Sequence, residues 1–308
     1  MSAYRQSSLL PDVVEEQGTL KPINVASVPQ RSPFRYPGGK TWFVPTFRQW
    51  LAHIAAKPRF LIEPFTGGGI ISLTALFDDL VDKAVMVELD DEIAAVWETI
   101  VDGNAAWLAD RILTFEMTRE NVVKELQITR SSQSEKAFQT ILKNRTLHGG
   151  ILAKGSRFIK NGENGKGIGS RWYPTTLATR ILGLEQIAAR IDFRQADGLT
   201  VMMEFAATPN VIFFIDPPYT AGGKKAGKRL YTHHQLDHER LFTICESLRG
   251  DFLMTYDEAD EVKMLARRHG FQMRLIPMKN THHTTMKELV IGRDLSWLDA
   301  PEVDGESA

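Results

Sequence analysis

The stretch Val211-Ile212-Phe213-Phe214-Ile215-Asp216-Pro217-Pro218-Tyr219 decides how this sequence is read. Its apolar residues are β-branched or aromatic, as in a strand buried on both faces. An acid and two prolines then end it. Open α/β sheets place their ligands at the carboxyl ends of strands, where this tetrapeptide stands. The prolines fix the backbone and leave carbonyls without neighbouring amide donors. Asp216 and the Pro217 carbonyl offer two acceptors, and Tyr219 a flat aromatic face. That set suits a planar amino group held by two hydrogen bonds beneath a stacked ring.

Working outward, the same pattern of apolar run and turn recurs at Phe60-Leu61-Ile62, Ala84-Val85-Met86-Val87, Phe252-Leu253-Met254 and Glu288-Leu289-Val290-Ile291. Helical periodicity follows at 70–77, 91–100, 237–248 and 259–269. Strands alternating with helices predict an α/β, doubly wound sheet. Residues 100–192 read differently, with helical patterns at 105–113, 118–126 and 133–143 and then a glycine-rich loop. The expected division is a flexible lead (1–30), a catalytic domain (31–99 and 193–293), an inserted, mainly helical region (100–192) and an acidic, solvated tail (294–308).

Composition narrows the class. The chain has 308 residues, 37 Lys+Arg against 38 Asp+Glu, and a net charge of −1. No run approaches the ~18 apolar residues of a membrane span, and the N-terminus lacks the basic-then-apolar pattern of a secretory signal. A single cysteine, Cys245, excludes an internal disulfide and suits a reducing, cytoplasmic compartment. Charge is uneven. Residues 143–180 carry a local excess of +7, including Arg145, Lys154, Arg157, Lys160 and Arg171. Residues 220–236 hold Lys224, Lys225, Lys228 and Arg229 with no acid. Two basic runs near the candidate motifs point to a surface that meets phosphates.

Other turns add chemistry. Glu63-Pro64-Phe65-Thr66-Gly67-Gly68-Gly69 lies between a strand and a helix, where glycines admit a ligand to the backbone. Glu88 ends the next strand, the place of an acid that accepts ribose hydroxyls in nucleoside-binding sheets. Asp197-Gly198 precedes the central strand. Phe34 to Thr41 ends in Gly39-Lys40-Thr41 like a phosphate-binding loop, but it lacks the first glycine and a preceding strand, so a nucleotide triphosphatase is set aside. His233-His234 and His282-His283 have no Cys or acidic cluster to complete a site, so no metal is expected.

In this order the motifs resemble the D12 class of DNA adenine-N6 methyltransferases, through PGGK at 37–40, EPFTGGG at 63–69, Asp197-Gly198 and DPPY at 216–219. The resemblance implies a Rossmann-like methyltransferase sheet with S-adenosylmethionine as methyl donor and no metal. It puts Tyr36, Gly39 and Lys40 beside the donor's methionine part, Lys40 near its carboxylate. Glu63, Pro64, Phe65, Gly67 and Gly69 would line the donor pocket, Glu88 would take the ribose hydroxyls and Asp197 the donor's adenine amino group. Asp216, Pro217, Pro218 and Tyr219 would hold a flipped target adenine. Glu88 stands where aspartate is commoner, adding one methylene of reach. The insert occupies the place of the target-recognition region, with Arg145, Arg157 and Arg171 as candidates for guanine edges. The implied partner is double-stranded DNA, with room for a cognate restriction enzyme; a monomer, or a dimer on DNA, is expected. A cytosine-N4 or RNA adenine methyltransferase of the same fold, or a non-catalytic nucleic-acid-binding subunit, are the alternatives.

Overall fold

The computed structural model describes residues 28–35, 38–152, 155–162, 165–218, 236–279 and 285–299, and gathers the apolar runs into one seven-stranded sheet. The strands are β1 (Phe60–Glu63), β2 (Lys83–Glu88), β3 (Ile191–Gln195), β4 (Val211–Ile215), β5 (Asp251–Asp257), β6 (Gln272–Lys279) and β7 (Thr285–Gly292). Their order is β3-β2-β1-β4-β5-β7-β6. The first five are parallel to one another, and β7 runs antiparallel to both β5 and β6.

Strand periodicity divides the core in two. Leu61, Ala84, Met86, Ile212, Phe214, Leu253 and Val290 pack into one cluster, and their neighbours Ile62, Val85, Phe213, Phe252, Met254, Leu289 and Ile291 into the other. Successive side chains on a strand point to opposite faces, so both faces need cover. The first is covered by α1 (Val44–Ala52), α2 (Ile70–Phe77) and α3 (Asp91–Thr99). The second is covered by α8 (Gly198–Phe205), α9 (His238–Ser247) and α10 (Asp260–Arg268). Cys245 is fully buried in that second layer. The fold is α/β and Rossmann-like.

Between α3 and β3 run α4 (Ala105–Thr114), α5 (Arg119–Gln127), α6 (Gln133–Thr146) and α7 (Pro174–Gly183). Leu108, Ile112, Phe138, Ile141, Leu177 and Ile181 join the first core cluster, so these helices share a core with the sheet. Trp172 is buried against Phe115 with ring centroids 6.1 Å apart, while the adjacent Tyr173 is exposed. Glu125, buried on α5, is held by Arg111 at 3.3 Å and Arg130 at 2.9 Å.

Two expectations about the ends are corrected. The tail from Asp294 is not solvated at its start: Leu295, Trp297 and Leu298 are buried in the first cluster, and Gln49 of α1 donates to the Trp297 carbonyl at 3.1 Å. Three apolar side chains among the acids outweigh the charge pattern. At the other end Val28 is also buried in that cluster. Among the described residues no helix is long and apolar enough to cross a membrane.

Candidate active site

The parallel strands deliver their ends to one edge. Glu63 closes β1, Glu88 closes β2 and Asp216 follows β4. The strand order reverses between β1 and β4, and such switch points open a crevice at the carboxyl edge. Because β7 is antiparallel it enters from that edge, with Glu288 opposite Asp257 at the end of β5. One edge therefore collects carboxylates from five strands.

Asp216 is fixed from two sides. The Thr255 hydroxyl of β5 donates to its Oδ1 at 2.9 Å, and the Lys40 ammonium reaches the same oxygen at 2.8 Å. Lys40 sits at the start of a short 3-10 turn (Lys40–Phe43) and is only 4% exposed. Its Nζ also meets Glu288 Oε1 at 3.0 Å and donates to the Gly38 carbonyl at 3.1 Å. Burial by itself would lower an ammonium's pKa, but Asp216 and Glu288 outweigh it and hold Lys40 above its ordinary value. Pro217 is buried and Pro218 half-buried; Tyr219 lies outside the described residues.

The resemblance puts Lys40 beside the donor's methionine part; in the structure its ammonium meets Asp216, Glu288 and the Gly38 carbonyl. Tyr36 lies outside the described residues, and Gly39 is exposed beside the turn.

The glycine motif makes a tight cradle. The Thr66 hydroxyl donates to the Glu63 carbonyl at 2.9 Å, and the Trp97 indole donates to the Gly67 carbonyl at 3.0 Å. Gly69 has φ +63°, and a Cβ there would fall 2.8 Å from Met86 and 2.9 Å from Trp97. Only glycine meets both demands. Pro64 is buried and Phe65 half-buried. Glu63 is buried and accepts hydrogen bonds from the Ser72 amide and hydroxyl in the first turn of α2. Burial pushes its carboxyl up to about 8, against the two Ser72 bonds and with some help from Asp216.

Glu88 is drawn into the same cradle. Its carboxylate accepts from the amides of Gly67 at 3.0 Å and of Leu89 and Asp90 at 2.9 Å each. Burial lifts its pKa to about 7 despite these bonds. Asp197 is exposed and caps α8, accepting from the Thr200 amide at 2.8 Å and hydroxyl at 2.7 Å. Behind it a Cβ on Gly198 would stand 2.3 Å from the Pro64 carbonyl oxygen, which ties this turn against the glycine motif. Glu63, Glu88 and Asp197 thus surround a glycine-lined backbone turn. Glu88 and Asp197, beside a backbone that admits close approach, offer acceptors for the hydroxyls and amino group of a nucleoside.

The basic residues separate. Arg157 and Lys160 are exposed and, with Arg171 and His148, line a cleft of about 430 Å³ in the insert. Arg145 does not belong with them. It is 6% exposed, its Nη2 donates to the Pro33 carbonyl at 2.6 Å, and burial with the nearby Arg35 and Arg180 pulls its pKa down to about 10. Its place on the inner side of α6 makes it a packing group, and it is removed from the DNA-facing set. Lys154, Lys224, Lys225, Lys228 and Arg229 lie outside the described residues, as do His233, His234, His282 and His283.

Sequence reasoning missed Thr255 and Glu288 as site residues. Thr255 carries no signal, being one polar residue in a strand. Glu288 does: it is an acid at the head of an apolar run.

Comparison with known proteins completes the picture. No curated protein matches the chain. Among solved structures, a Pyrococcus horikoshii protein assigned as an RNA methyltransferase (PH1948) is similar with TM-score 0.37 and 11% identity, covering 84% of each chain. Streptococcus pneumoniae Sp1610, assigned as a tRNA (m1A22) methyltransferase, is similar with TM-score 0.35 and 9% identity over 80% of this chain and 68% of that one. Residues 36–280 match the profile of the D12 class N6 adenine-specific DNA methyltransferases. The chain belongs to that family and is a methyltransferase.

Proposed function

We propose that this chain transfers the methyl group of S-adenosylmethionine to the exocyclic N6 of an adenine flipped out of a specific site in duplex DNA. The observation that carries this reading is Asp216, which follows β4 beside the switch point and is pinned by Lys40 and Thr255. The N6 lone pair of adenine is delocalised into the ring, which makes it a poor nucleophile. Hydrogen bonds from that amino group to Asp216 and to the Pro217 carbonyl favour a more tetrahedral nitrogen and aim its lone pair at the methyl. The donor, when bound, supplies a methyl already activated on a sulfonium. The protein's contribution is position and electrostatics.

On this reading Glu88 takes the ribose hydroxyls, the turn from Glu63 to Gly69 shapes the donor pocket and Asp197 faces the donor's base. Residues 100–192 form the target-recognition region. Its cleft of Arg157, Lys160, Arg171 and His148 meets DNA phosphates and base edges. Extruding the base costs a few kcal/mol, so grip on the flanking backbone matters.

The test is Asp216→Ala. Turnover on unmethylated duplex DNA should fall by about 10³-fold, while the dissociation constant of S-adenosylhomocysteine stays close to wild type. An equal collapse of donor affinity would move Asp216 out of the acceptor site.

A further inference from the structure

Glu288 is an expensive residue for its position. On β7, Leu289 and Ile291 face the second core layer, while Val290 faces the first. Glu288 shares the Val290 face by strand alternation and is 4% exposed. A carboxylate taken out of water costs several kcal/mol, and apolar replacements of buried ion pairs are often neutral or stabilising. Stability alone would be served by another valine or leucine. What the acid adds is a second claim on Lys40, at 3.0 Å, opposite the Asp216 contact at 2.8 Å.

We propose that Glu288 is a positioning residue for methyl transfer, sharing the Lys40 ammonium so that Lys40 braces Asp216 without cancelling its charge. The proposal rests on the reading that Asp216 holds the target amino group. Two carboxylates around one ammonium leave the trio with one net negative charge. Asp216 is then both immobilised and still a strong acceptor for the substrate's N–H. If Glu288 were neutral, the whole ammonium charge would fall on Asp216, and its pull on the amino group would weaken. If Lys40 were absent, two carboxylates would face each other across the gap. Thr255 completes the brace from β5, so Asp216 is held from the sheet on one side and from the Lys40 turn on the other.

The experiment compares wild type, Glu288→Gln, Glu288→Asp, Lys40→Gln and the Lys40→Gln/Glu288→Gln double variant. Each is assayed for kcat and KM on duplex DNA, for S-adenosylhomocysteine affinity and for Tm. The proposal expects Glu288→Gln to lose about 10- to 100-fold in kcat, with KM and product affinity near wild type and Tm unchanged or raised. Glu288→Asp should recover part of the rate. In the double variant, adding Glu288→Gln should cost little beyond Lys40→Gln, because both act through one contact. Wild-type kcat in Glu288→Gln would overturn the proposal, and so would fully additive losses. Should Glu288→Gln fail to fold, Glu288→Asp decides: reduced kcat at unchanged KM supports the role, and wild-type kcat removes it. A wild-type chain that methylates no adenine overturns the underlying reading, and the proposal with it. An active wild type with an equally active Glu288→Gln overturns the proposal alone.

Discussion

The carboxyl edge of the sheet and the insert between α3 and β3 carry charge in opposite ways. At the edge Lys40, Glu63 and Glu288 are buried, and Lys40 and Glu288 are bound to each other. In the insert Arg157 and Lys160 stand exposed around a cleft. Buried charges keep fixed geometry because low dielectric makes any lost partner costly. Exposed ones act through the field they project, which salt screens. On the proposed function, the difference is a division of labour between holding one reacting group and gripping a long polyanion. Arg145 sharpens the point. It lies in the basic stretch of the sequence, yet burial turns it into a bracket for the Pro33 carbonyl.

The comparison can be broken at either end. Lys40→Met strands two carboxylates at the edge and should destabilise the protein by about 3–5 kcal/mol in denaturant titrations near neutral pH. A Lys40→Met protein as stable as wild type would show that the trio is not the compensated unit described here.

Glu63 gives the next largest effect, with a definite sign. Its carboxyl titrates near 8 when folded, against an ordinary value of 4.5. Below pH 4.5 both states hold the proton; between the two values the folded state holds it more tightly. Stability from this group is therefore present in acid and lost as pH rises towards 8, by at most about 5 kcal/mol. Glu63→Gln cannot titrate. The stability difference between variant and wild type should move in favour of the variant from pH 5 to pH 8, and a constant difference would contradict the assignment.

Replacing Arg145 separates packing from grip. Arg145→Ala should cost about 1–3 kcal/mol of stability through the orphaned carbonyl and leave the salt dependence of DNA binding as it was. Arg157→Ala with Lys160→Ala should do the reverse. Stability should stay within about 0.5 kcal/mol, while the slope of log K against log salt should flatten by about 1–2. An unchanged slope would take the cleft out of the DNA surface.

How much of this was legible follows the same physics. The five quoted apolar runs are β1, β2, β4, β5 and β7, because interior strands of a covered sheet must be apolar on both faces. The two strands that went unseen, β3 and β6, are the edges of the sheet. Residues 191–195 are only half-buried or exposed, and β6 carries Pro277, which an edge strand tolerates. The periodic helices appeared within a few residues of their ends. By contrast α1, α7 and α8 were missed; two of them begin near a proline, at Val44-Pro45 and Pro174. At the site, the motifs that end strands were readable because turn chemistry is local. The brace on Asp216 was not, since Lys40, Thr255 and Glu288 meet only through the sheet order and the antiparallel entry of β7.

The most direct test of the central claim follows the methyl group itself. Purified protein is incubated with labelled S-adenosylmethionine and unmethylated duplex DNA of mixed sequence, and the DNA is digested to nucleosides. The account predicts label in N6-methyl-deoxyadenosine. Label in the cytosine N4 product, or label only when RNA replaces DNA, would contradict the adenine-in-duplex acceptor placed at the end of β4.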